Sequence, residues 1–114
     1  MKPVKRDVWN ARGDTFAFSV KTPLDATVES MYFSVKKYST DTNYIIQKAL
    51  GDGIENVTDE NDDTKWYTIT VAPEDTNSLE LGDYYYDFQI KLDGDVLTPI
   101  YGLFKVTTDI TREV

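Results

Sequence analysis

Apolar and polar residues alternate along most of this chain, the two-residue period of an extended backbone with one buried face. In Thr15 to Lys21, Phe16, Phe18 and Val20 share one side while Thr15, Ser19 and Lys21 share the other. Val28 to Lys36 repeats the pattern, with Met31, Phe33 and Val35 opposed to Ser30, Tyr32 and Ser34. Lys65 to Val71 sets Tyr67, Ile69 and Val71 against Trp66, Thr68 and Thr70, and Pro73 then stops the strand. In Asp83 to Leu92, Tyr84, Tyr86, Phe88, Ile90 and Leu92 are predicted to face inward, and Tyr85, Asp87, Gln89 and Lys91 outward.

Shorter or less regular pieces fill the rest. In Asn43 to Leu50, Tyr44-Ile45-Ile46 has strand composition, whereas Gln47 to Leu50 is also compatible with a helical turn; we read a strand, broken by Gly51-Asp52-Gly53. Ile54 to Thr58 reads as a short edge strand running into Asp59-Glu60-Asn61-Asp62-Asp63, whose charge and turn formers predict a hairpin tip. Asp93-Gly94-Asp95 is a tight hairpin signal, and Val96 to Val106 is the returning strand. Six or seven such strands without amphipathic helices between them predict an all-β, antiparallel β-sandwich. Nothing suggests a linker or repeat, so residues 1–114 are expected to form one domain with its core between about Val4 and Ile110, and Thr111 to Val114 a frayed end.

Composition narrows the chemistry. The chain contains no Cys and no His, which removes thiolate nucleophiles, His-based acid–base pairs and the usual zinc, haem and iron–sulfur ligand sets. Twelve Lys+Arg against 20 Asp+Glu give a net charge of −8, so nucleic acid and anionic membrane surfaces are not expected partners. Lysines and arginine near the start are not followed by an apolar stretch, so a secretory signal is not expected, and no run approaches the ~18 apolar residues of a membrane span.

Several motifs invite a functional reading. Asp59, Asn61 and Asp63 match the first oxygen ligands of a calcium loop, but Thr64 stands where that loop needs Gly and Thr70 where it needs a bidentate Glu; no metal or other cofactor is expected. Arg12-Gly13-Asp14 spells a cell-adhesion tripeptide, yet Gly13 and Asp14 are sufficiently explained as a structural turn before a strand. A carboxylate pair of the glycosidase kind must face across about 5–9.5 Å, and the acids here lie in turns or on outward positions; no catalytic residue is expected. Outward Tyr85 and Trp66 are the candidates for a protein interface or, alternatively, for stacking on a sugar. Gly82-Asp83-Tyr84 suits a tyrosine corner, where a Tyr hydroxyl pins the preceding loop.

Taken together, the motifs resemble a known family. Arg12-Gly13-Asp14-Thr15, Pro23-Leu24-Asp25-Ala26-Thr27 and Tyr32-Phe33-Ser34-Val35-Lys36-Lys37 are similar to the start of the N-terminal domain of phage baseplate upper proteins. Ala72-Pro73-Glu74-Asp75-Thr76, Leu79 to Ile90 and Leu103 to Thr111 resemble a stretch carried by such phage and prophage tail proteins. The resemblance implies an immunoglobulin-like β-sandwich that is a non-enzymatic structural piece of a tail or baseplate. It also implies docking onto other tail or baseplate proteins, with self-association open, and location in the virion or in the host bacterial cytoplasm. Longer members carry a distal receptor-binding module; for a chain ending at Val114 the expected role is scaffold alone, as a short relative or an isolated domain. The alternative function is a carbohydrate-binding β-sandwich module.

Overall fold

A computed structural model describes residues 3–58 and 64–108. The expected hairpin tip at residues 59–63 and the chain end after Thr108 lie outside the described residues. Nine strands and one helical turn follow in order: β1 Val4–Lys5, β2 Val8–Ala11, β3 Phe16–Pro23, β4 Val28–Lys36, β5 Ile46–Leu50, β6 Gly53–Asn56, β7 Thr64–Val71, α1 Pro73–Thr76, β8 Gly82–Leu92 and β9 Asp95–Thr107. The spatial order is β1-β9-β8-β4-β5-β6-β7-β3, with β2 continuing along β9 beyond β1.

The alternating segments became strands because each has an apolar side to bury. Met31, Phe33 and Val35 of β4, Tyr67, Ile69 and Val71 of β7, Tyr84, Tyr86, Phe88 and Ile90 of β8, and Phe104 and Val106 of β9 make one core. Of Asn43 to Leu50, only Ile46–Leu50 is a strand; Tyr44 and Ile45 lie exposed ahead of it, and no helical turn forms at Gln47. At the β8–β9 hairpin Asp93 and Gly94 both take positive φ, as a two-residue turn requires. Asp93 also ties that hairpin to the β3–β4 turn, accepting from the Thr27 N–H at 2.8 Å and donating its own N–H to the Thr27 carbonyl at 2.9 Å.

The sheet is mixed rather than wholly antiparallel. β1 and β2 run parallel to β9, and β5 runs parallel to β6 across a tight kink at Gly51-Asp52. No crossover helix is needed, because β1 and β2 reach β9 from the opposite end of the chain and the β5–β6 pairing spans only two register positions. Between β1 and β2 the backbone bows at Arg6-Asp7 over Gly102. The Arg6 N–H donates to the Tyr101 carbonyl at 2.8 Å, Asp7 Oδ1 accepts from the Leu103 N–H at 3.0 Å, and the buried Tyr86 hydroxyl donates to the Arg6 carbonyl. A Cβ on Gly102 would strike the Arg6 carbonyl, so the close approach requires glycine.

Aromatic contacts show how far the sheet curls. Phe16 and Phe18 of β3, the last strand in the order, meet Phe104 of β9 at 5.9 Å, Phe33 of β4 at 5.5 Å and Phe88 of β8 at 6.4 Å. The β3-β7-β6 end therefore folds back over β4, β8 and β9 with the apolar face inside. The two ends do not close by hydrogen bonds: β3 stands at one edge of the sheet, and between it and β8–β9 an apolar cavity of about 280 Å³ remains, lined among others by Val20, Leu92, Leu97 and Ile100. No described helix is long and apolar enough to cross a membrane.

Candidate functional site

The outer face of β9-β8-β4-β5 carries a wide groove of about 1030 Å³. Its floor follows from strand register. Asp87 of β8 lies opposite Tyr101 of β9 on one side and Ser34 of β4 on the other, and Ser34 lies opposite Gln47 of β5. One step along, Tyr85 pairs with Leu103 and Lys36; one step the other way, Gln89 pairs with Tyr32. Directly opposed side chains stand about 5 Å apart and diagonal ones about 7–8 Å, so Asp87 sits in a lattice with Tyr101 beside it, Tyr32 diagonal to it and Tyr85 two residues before it on the same face of β8. Tyr44, ahead of β5, completes the tyrosine wall. Lys5 of β1, opposite Tyr101, closes one end.

These tyrosines remain accessible, Tyr85 at 46% exposure, as do Gln47 and Gln89, while Asp87 is half-buried and Ser34 buried between them. Ser34 is outward-facing yet buried, and its hydroxyl accepts from Gln47 Nε2 at 3.2 Å. Burial also pushes the Asp87 carboxyl above its ordinary value, with the nearby Lys36 ammonium acting in the opposite sense. That ammonium lies 5.0 Å from the Tyr44 ring centre. Deeper, at the β1–β2 break, burial pushes the Tyr86 hydroxyl up to about 12; the Arg6 charge opposes this and Asp7 adds to it. Among the described residues, Asp87 is the single carboxylate lining the groove. Among the described residues no three His, Cys, Asp or Glu side chains gather as metal ligands; the calcium-like loop at Asp59 to Asp63 lies outside the described residues.

The residues singled out by sequence are dispersed. Tyr85 lines the groove, but Trp66 does not: it lies on β7, four strands away in the sheet order, half-buried with the Lys21 ammonium 5.9 Å from its ring centre. Gly13 and Asp14 form the turn after β2, with the Asp14 N–H donating to the Ala11 carbonyl at 2.9 Å and Gly13 at φ 84°. The Gly13 N–H donates at 2.9 Å to the hydroxyl of Thr76, a fully buried residue of α1, and Arg12 reaches the Leu79 carbonyl at 3.4 Å. This anchors the Arg-Gly-Asp turn against the β7–β8 connection. Gly82 opens β8 at φ 141°, and the hydroxyl of buried Tyr84 donates to the Glu80 carbonyl at 2.7 Å, pinning that connection from its other end.

Sequence reasoning missed Tyr101, Tyr44 and Trp9 as surface aromatics. Trp9, 61% exposed on β2 and opposite Lys105, extends the same outer face beyond the groove, with the Lys105 ammonium 5.8 Å from its ring centre. Outward parity was readable for Tyr32, Tyr85 and Asp87; that β9 and β4 flank β8 and bring them together was not. No protein-family model matches the chain, and no curated protein matches it.

Proposed function

We propose that this chain is a non-enzymatic docking module: an immunoglobulin-like β-sandwich serving as a structural component of a phage or prophage tail or baseplate. Three features support the sandwich. The order β1/β2-β9-β8-β4-β5 opposite β6-β7-β3 matches that of an immunoglobulin-like domain whose first strand runs parallel to its last. The β3–β7 and β4–β8 pairs, each joining strands remote in sequence, hold the core at the centre of the two layers, and the Tyr84 hydroxyl makes the bond of a tyrosine corner. The tail assignment rests on the motifs from Arg12-Gly13-Asp14-Thr15 through Leu103 to Thr111.

The observation that carries docking is β3. It pairs with β7 over all eight of its residues and has no strand on its outer side among the described residues, above an apolar cavity. Unpaired edge N–H and C=O groups are the standing template for an added strand, supplied by another tail protein or by a second copy. The −8 charge keeps such a module away from nucleic acid and anionic membrane, and its place would be the virion or, before assembly, the host cytoplasm.

The test is composition of the particle. In virions purified after induction of a lysogen carrying the gene, peptides of this chain are expected at a fixed ratio to the tail proteins. Ala17→Lys, placing a charge on the exposed β3 edge, is expected to lower incorporation without unfolding the domain. Absence of the chain from purified virions defeats the assignment.

A further inference from the structure

We infer that the tyrosine-lined groove on the outer face of β9-β8-β4-β5 binds an uncharged glycan chain, with Tyr32, Tyr85 and Tyr101 as stacking platforms and Asp87, Gln47 and Gln89 as hydroxyl partners. The inference is independent of docking through β3, which lies at the far end of the sheet order.

The lining chemistry selects the ligand. A pyranose ring offers an apolar C–H face and a rim of hydroxyls, and it needs a surface where flat apolar rings alternate with planar donor–acceptor groups. The register supplies that alternation: Tyr85, Asp87 and Gln89 follow one another at two-residue steps on one face of β8, with Tyr101 beside Asp87 and Tyr32 beside Gln89. The row from Tyr101 through Asp87 and Ser34 to Gln47 crosses three inter-strand gaps, about 14 Å, room for a short run of sugar units rather than one. The concavity is large enough for such a ligand.

Charge excludes the neighbouring classes. A cationic ligand would meet the Lys36 ammonium already placed over Tyr44 and beside Asp87. A polyanion would find only Lys5 and Lys36 in the groove, beside the Asp87 carboxylate, on a chain of net charge −8. A protein partner wants an interface centre depleted of charge and rich in apolar contact, whereas the centre here is Asp87, flanked by Ser34 and Gln47, with the aromatics around it.

The test uses the whole chain in native gels cast with a soluble neutral β-glucan, a mannan or a galactan, and with polygalacturonate as the anionic comparison. Retardation by at least one neutral polysaccharide is expected. Tyr85→Ala and Tyr101→Ala should each weaken it about tenfold or more, equivalent to about 1.4 kcal/mol, while Trp66→Phe, on the other layer, leaves it unchanged. Both tyrosines are exposed, so matching thermal unfolding curves separate lost binding from lost fold. Asp87→Asn keeps the shape and removes the charge; it should weaken binding less than the tyrosine variants do. No retardation by any neutral polysaccharide, retardation by polygalacturonate alone, or binding that survives both tyrosine substitutions overturns the proposal.

Discussion

Gly102 and Asp87 show how much single positions depend on partners remote in sequence. At Gly102 the missing side chain leaves room for the bow of Arg6-Asp7, and Tyr86 bonds the Arg6 carbonyl across it. Gly102→Ala forces that backbone away, and a loss of about 1–3 kcal/mol is expected in urea unfolding, the usual range for overpacking. Tyr84→Phe, which deletes the hydroxyl bonded to Glu80, should cost about 1 kcal/mol. Asp87 provides a pH signature. Because its carboxyl lies above the ordinary 3.8 in the folded protein, the folded state keeps a proton there that the unfolded chain has already released. Its contribution to stability is therefore fully present at acid pH and is lost as pH rises through the raised value. Comparing unfolding free energies of wild type and Asp87→Asn from about pH 3 to 7, the Asn variant should gain on wild type as pH rises. Outward parity for Asp87 was readable in the alternation of β8; its half-burial was not, since that comes from the side chains that β4 and β9 place around it.

At the scale of elements, legibility followed strand length and the sharpness of alternation. β4 coincides with the alternating segment Val28 to Lys36, and β7, β8 and β9 extend theirs by only one or two residues. In contrast β1 and β2 have two and four residues, too few to show a period. What makes them strands is β9, about a hundred residues onward. The turn α1 was hidden for a related reason: Pro73 explains where β7 stops, but the turn is held by one local cap and one tertiary ion pair. The Asp75 carboxylate accepts from the Ala72 N–H at 2.7 Å and pairs with Lys48 of β5 at 2.8 Å, both side chains largely buried. Asp75→Ala removes both, and a loss of about 1–2 kcal/mol is expected, read from the denaturant midpoint. Lys48→Met should cost less, since it spares the bond to Ala72.

For the whole molecule, the decisive event is the curl that brings β3 onto β4, β8 and β9. Phe33 lies at its centre, fully buried against Phe18, Tyr86 and Phe104. Phe33→Ala should cost about 3–5 kcal/mol, a large part of the 5–15 kcal/mol typical of a whole domain, with a matching fall in the thermal midpoint. The sequence by itself determined that the chain is β-built, which face of each long strand is apolar, and which chemistries its composition lacks, because a two-residue period and residue types are local properties. Tertiary structure alone decided which strands are neighbours, that three pairings run parallel, that β3 stands at an edge, and that Tyr85, Tyr101 and Tyr32, but not Trp66, line one groove. Those outcomes depend on how one sheet wraps to bury its apolar face, and alternation records the face without recording the partner.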